Sequence, residues 1–119
     1  MSAHINDRIA LFPDAVRVRV CLREHIIVDC ADAIRLEERG YPPRHYLPSA
    51  AIPARSLVES ATRTHCPYKG DAAYFHILFD GERLEDAAWS YPQPLPEMAA
   101  IAGRIVFDHP RLRLHLENC

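Results

Sequence analysis

The sequence predicts a mainly β domain, and three observations carry that prediction. Apolar residues recur with period two far more often than with the helical 3.6. Ten prolines punctuate the chain, in clusters that neither a helix interior nor a central strand tolerates. The apolar runs between them are short. About six to eight short, largely antiparallel strands with one or two short helices follow from this pattern. A chain of 119 residues, 49% apolar and 25% charged, has the size and composition of one globular domain, residues 1–119.

The elements are justified in order. Arg8 to Phe12 reads as an opening strand, stopped by Pro13. Val16, Val18, Val20 and Leu22 alternate with Arg17, Arg19, Cys21 and Arg23. That places the apolar set on one strand face and the arginines on the other. Ile26 and Val28 continue as a second strand after Arg23-Glu24-His25, a hairpin with no Asn-Gly or Asp-Gly to fix its turn. Ile34 and Leu36 alternate with Arg35 and Glu37 in a third. Pro42-Pro43, Pro48 and Pro53 mark loops and edges, and Ala54 to Ser60 reads as a short helix after Pro53. Tyr74 to Phe79 is an apolar β-forming run ended by Asp80-Gly81, with Ala87 to Tyr91 as its partner. Glu97 to Ala102 makes a helical turn or two after Pro96. Arg104 to Asp108 and Leu112 to Leu116, separated by His109-Pro110, close the set.

Charge and composition exclude several function classes. A net charge of −2 gives no broad attraction to nucleic acid. Arg17, Arg19, Arg23 and Arg35 form at most a stripe on an outward face, read as solvated. No apolar run approaches the roughly 18 residues of a membrane span. Met1 to Asp7 is polar, with no signal-peptide core, so a cytoplasmic protein is expected. The four cysteines, Cys21, Cys30, Cys66 and Cys119, include no C-x-x-C pair, which predicts reduced thiols rather than zinc or disulfides. The seven histidines contain no H-x-x-x-H pair, and only four glycines exist. No metal or cofactor is expected, and P-loop, G-x-G-x-x-G and G-x-S-x-G motifs are all absent.

The chemistry concentrates in His65-Cys66-Pro67-Tyr68-Lys69-Gly70. Pro67 holds Cys66 extended and Gly70 permits a positive φ, so a tight turn is expected. Cys66 as a nucleophile would need a lowered pKa, with Lys69 or His65 supplying charge. His65, adjacent in an extended segment, points the wrong way to act as its base. Lys69 is the alternative functional group, a partner for an anion or carboxylate. Glu38 shares strand parity with Ile34 and Leu36, which turns its carboxylate toward the core and demands a partner such as Lys69. Trp89 and Tyr91 share a face, and with Tyr41, Tyr46, Tyr68 and Tyr74 they make either an aromatic pocket wall or a core.

Taken together, several segments resemble a known family. They are Val28-Asp29-Cys30, with Glu38 following; Pro42-Pro43; Tyr46-Leu47-Pro48; Cys66-Pro67-Tyr68-Lys69-Gly70 with Ala73-Tyr74; Trp89-Ser90-Tyr91-Pro92 with Pro94; and Ile101, Gly103 and Ile105-Val106-Phe107. In this order they resemble the bacterial domain-of-unknown-function family 427, whose label also refers to a nucleotidyltransferase. The resemblance runs from about Arg8 to Asp108. Cys30 replaces the family's small hydroxyl residue, and Asp108 a common aromatic. The resemblance implies a β-tent domain, similar in architecture to methionine sulfoxide reductase B and the thalidomide-binding domain of cereblon, without their C-x-x-C zinc sites. The nearest match to a nucleotidyltransferase's metal-binding carboxylates is Asp29-x-x-Asp32, with no phosphate loop before it.

Three functions follow as expectations. The first is a domain that binds a small molecule or modified residue through Glu38, Tyr46, Lys69, Trp89 and Tyr91. The second is an enzyme using Cys66 or the Glu38/Lys69 pair. The third is an interaction domain, with a homodimer through an exposed sheet edge. The residues leave open whether catalysis occurs.

Overall fold

The computed structural model describes residues 3–4, 6–14 and 16–118. Cys119 lies outside them; Cys21, Cys30 and Cys66 are free thiols. The strands are β1 (Ala3–His4), β2 (Ile9–Pro13), β3 (Val16–Leu22), β4 (His25–Cys30), β5 (Ile34–Glu38), β6 (Arg44–Tyr46), β7 (Leu57–Cys66), β8 (Gly70–Phe79), β9 (Glu82–Ser90), β10 (Ile105–Phe107) and β11 (Leu112–Asn118). They form three antiparallel sheets, ordered β1-β2-β5-β6, β10-β9-β8-β7 and β11-β3-β4. Helix is confined to 3-10 turns at Ser49–Ala51, Ala54–Ser56 and Pro96–Ile101. The mainly β prediction therefore holds. Among the described residues no helix is long and apolar enough to cross a membrane.

The β10-β9-β8-β7 sheet is central because both of its faces are apolar. Tyr74, Trp89 and Val106 are cross-strand neighbours on one face, and Phe75, Ala88 and Phe107 on the other. The first face packs against Ile9, Leu11, Leu36 and Tyr46 of the β2-β5-β6 region, joined by Met98 and Ile101. The second packs against Val18, Val20, Leu22 and Val28 of the β3-β4 hairpin. Burial of each such aliphatic side chain contributes about 1.5–3 kcal/mol. Leu47 and Ile105 exchange backbone hydrogen bonds of 2.9 and 2.8 Å, which stitch the β6 end of the first sheet to the central one.

Several elements depart from the sequence expectations. Ala54 to Ser60 is not a helix: one 3-10 turn ends at Ser56, and β7 then runs to Cys66. Its Val58, Thr62 and Thr64 are β-formers, and pairing with β8 outweighs the helical start that Pro53 offered. The short β6 was hidden between Pro43 and Pro48. The hairpin carries a bulge. Val20 pairs with Val28 but Cys21 with Ile26, so Ile27 is inserted into the core and Ile26 turns outward, 54% exposed. A single extra residue inverts the face of everything before it. Cys21 keeps its place on the arginine face, flanked by Ile26 and Arg113, yet is itself buried.

The arginine stripe is internally neutralised. Arg17 and Arg19 both reach Asp29, and Arg19 also reaches Glu117. Desolvation pushes the Asp29 carboxyl up, but the bonds from Arg17 and Arg19 outweigh it and hold the group below its ordinary range. Further bulges interrupt β7-β8 and β8-β9. Between them Asp86, at φ 47°, accepts hydrogen bonds from the hydroxyls of Ser60 (2.5 Å) and Thr62 (2.7 Å). Those two bonds hold its carboxyl below the usual range.

Candidate functional site

Strand parity delivers the first wall of a cavity. Leu36 and Glu38 on β5 share a face, and Leu36 pairs with Arg44 and Ile34 with Tyr46 on β6. Leu36, Glu38, Arg44 and Tyr46 therefore project to one side. The opposite wall comes from Trp89 on β9 and Tyr91 just beyond its end. The turn after β7 supplies Cys66 and Lys69. These eight residues, with Tyr41 and Pro42, line a cavity of about 260 Å³. A more open groove of about 470 Å³, lined by Arg8, Glu37 and Arg39 among others, shares Glu38 and Tyr41 with it.

The polar centre is the Glu38–Lys69 pair. Lys69 Nζ donates to Glu38 Oε1 at 2.7 Å, with the side chains only 12% and 11% exposed. Nζ also lies 3.8 Å from Cys66 Sγ. An ammonium has three donors and a carboxylate about four lone-pair sites, so the pair retains capacity for a ligand on both sides. The turn is held firmly: the Lys69 amide donates to the Cys66 carbonyl (3.2 Å), and its own carbonyl accepts from the Leu95 amide (2.9 Å). Gly70 follows at φ +121°, a conformation that L side chains rarely adopt.

The aromatic residues divide. Tyr46 and Tyr91 are both buried, with ring centroids 6.5 Å apart. Trp89 is half-buried, 6.0 Å from Tyr74 on one side and 5.2 Å from the Arg44 guanidinium on another. Arg44 is in turn held by Asp108 at 3.2 Å. Tyr68 points away from the cavity and lies under Arg8 (4.8 Å), and Tyr41 is 65% exposed at the rim. His65 also turns outward, bonding Asp71 at 2.7 Å with both side chains solvated. It is no base for Cys66, and no histidine lines the cavity. Glu38, Tyr46, Cys66, Lys69, Trp89 and Tyr91 are thus brought together. Arg44 was missed, because its three-residue strand shows no readable alternation.

Burial pushes the Tyr46 phenol well up, reinforced by Tyr91 and opposed by Trp89 and Arg44. Tyr91 is pushed up to about 12, again first by burial, then by Cys66, Tyr74 and Glu38. Both rings are therefore neutral hydrogen-bonding groups at neutral pH. A folded-state pKa above the unfolded value near 10 means the folded protein retains protons that the unfolded chain releases. The stability from these phenols is complete below about pH 10 and is lost as pH rises through about 12. In an alkaline titration followed by phenolate absorbance, we expect a late component that Tyr46→Phe and Tyr91→Phe each diminish. Essentially full phenolate signal by about pH 11.5, with circular dichroism still native, would contradict this.

Neither aspartate of Asp29-x-x-Asp32 is placed as a metal-binding carboxylate. Asp29 is tied to two arginines, and Asp32 is 81% exposed in its side chain near Arg104. Among the described residues no cluster of three or more His, Cys, Asp or Glu is spaced to hold a metal ion. Cys30, buried, accepts the Asp32 amide on its sulfur at 3.2 Å, the local turn-forming bond that a serine or threonine hydroxyl makes elsewhere.

No curated protein matches this sequence. A family profile described as a domain of unknown function (DUF427) matches residues 10–118. That span reaches past Asp108 through β11, so the closing strand is part of the family's domain. It also contains both walls of the cavity and the turn that carries Lys69, and the chain belongs to the DUF427 family.

Proposed function

We propose that this domain binds a small, flat, polar molecule, or a modified side chain of similar size, in the cavity between Glu38, Tyr46, Lys69, Trp89 and Tyr91. The observation that carries the reading is the half-enclosed Glu38–Lys69 pair, 2.7 Å apart, set against aromatic walls. Holding two opposite charges away from water is costly, and replacing such a pair by hydrophobic residues of similar volume is often neutral or stabilising. An ammonium and a carboxylate side by side offer a ligand one donor and one acceptor, while Trp89 offers a flat surface. Nucleotidyl transfer is not supported, since the family label's chemistry finds neither paired carboxylates nor a phosphate loop here.

The enzymatic alternative rests on the 3.8 Å approach of Lys69 Nζ to Cys66 Sγ. It lacks a general base beside the thiol, so binding is favoured over catalysis. A fragment library of planar amides, lactams and heteroaromatic carboxylates, screened by thermal shift, tests the reading. A ligand at 100 times its Kd stabilises by about 2.7 kcal/mol. We expect hits whose shift is lost in Trp89→Ala and reduced at least about tenfold in affinity by Glu38→Gln. Hits that bind these variants as well as wild type would place the ligand elsewhere.

A further inference from the structure

We propose that β11 is a dimerisation strand, which pairs antiparallel with β11 of a second copy about a two-fold axis at His115. The argument begins with the edges of the three sheets. Among the described residues β1 has two residues and β6 and β10 three each. β7 and β4 sit next to bulges. These are the ordinary ways a β protein protects its edges from pairing. β11 uses none of them: it pairs with β3 over seven consecutive residues without a register shift, and it contains no proline or glycine.

Its sequence is complementary to itself. Centred on His115, an antiparallel copy sets Arg113 opposite Glu117 twice and Leu114 opposite Leu116 twice. Shifting the axis to Leu116 breaks both matches; shifting it to Leu114 sets Glu117 opposite Arg111, which precedes the strand and is already held by Glu82, and Leu116 opposite Leu112, which is already buried. The leucines already face the core side, opposite the fully buried Val20 and Val18. Yet Leu114 is 37% and Leu116 50% exposed, an apolar margin left uncovered among the described residues. A second copy covers it with the same residues and continues the β11-β3-β4 sheet across the two-fold axis. A strand pair of this length lies below roughly 1,200 Å² of buried surface, so a dissociation constant on the order of micromolar or weaker is expected.

Sedimentation equilibrium of the full chain under reducing conditions, from about 1 μM to about 1 mM, tests this. The mass should rise from 13.5 kDa toward twice that value. R113E, which sets carboxylates at 113 and 117, and E117R, which sets guanidiniums there, should each weaken association at least about tenfold. An equimolar mixture of the two should recover it as a mixed dimer, which neither misfolding nor a remote interface would produce. Leu116→Lys, at a half-exposed position, should weaken it as well. A wild type that stays monomeric throughout overturns the proposal. So does undiminished dimerisation of R113E, E117R and Leu116→Lys, or a mixture that associates no better than its components.

Discussion

Gly70→Ala is expected to destabilise the protein by about 2–4 kcal/mol, combining a strained backbone with a backbone clash. Gly70 stands at φ +121°, and a Cβ there would lie 3.2 Å from Pro94 Cα and 3.4 Å from the Gln93 carbonyl oxygen. Neither neighbour is a side chain that can rotate away. The residue also closes the turn that presents Lys69, and the Lys69 carbonyl is bonded to Leu95 in the same loop. Moving residues 93–95 aside therefore shifts the ammonium. Thermal unfolding should show a midpoint lower by on the order of 10 °C, with affinity for fragments from the proposed screen falling in parallel. Gly40→Ala serves as the comparison, because it shares a positive φ with nothing within 4 Å of its Cβ. Equal losses at the two positions would mean that the contact with the 93–95 loop contributes nothing.

Lys69→Met carries the other large expected effect. It leaves the Glu38 carboxylate, 11% exposed, beside apolar and aromatic surface without its cation. Removing one partner of a fully buried pair costs about 3–5 kcal/mol; with residual access to water, about 2–3 kcal/mol is expected. Glu38→Gln in the same chain removes the stranded charge and should restore much of the loss. Urea unfolding of the two single variants and the double variant measures this as a coupling energy of about 1–2 kcal/mol. Additive effects would show that the two groups do not depend on each other. The rescued double variant should remain unable to bind the fragments selected on wild type, which separates the pair's structural role from the recognition proposed for it.

Much of the site was legible because it rests on period two. The alternation Ile34, Leu36, Glu38 is enough to turn a carboxylate inward, and an inward carboxylate implies a cation; the Lys69 turn was marked by Pro67 and Gly70. What escaped the sequence has physical causes. β7 is an edge strand with a single buried residue, so it lacks the alternation that a half-buried strand displays. The Ile27 bulge depends on how β3 and β4 register, which no single strand encodes. Arg44 occupies a strand too short for periodicity, and its place over Trp89 is fixed by contacts between sheets. The valine face of β3 was read correctly, since Val18 and Val20 are fully buried.

The pairing of β3 has a consequence for the order in which the molecule can form. β3 is the middle strand of its sheet, and its β11 partner lies at the far end of the chain, with Leu22 against Leu112 and Val16 against Asn118. During synthesis the valine strand emerges long before the segment that completes its sheet. Closing so large a loop is entropically costly and is repaid only by contacts made afterwards. Until β11 docks, the β3-β4 hairpin has one side of β3 open. β3 therefore gains its second neighbour only when β11 returns across most of the chain, and the continuous β11-β3-β4 sheet exists only once that long-range pairing is made.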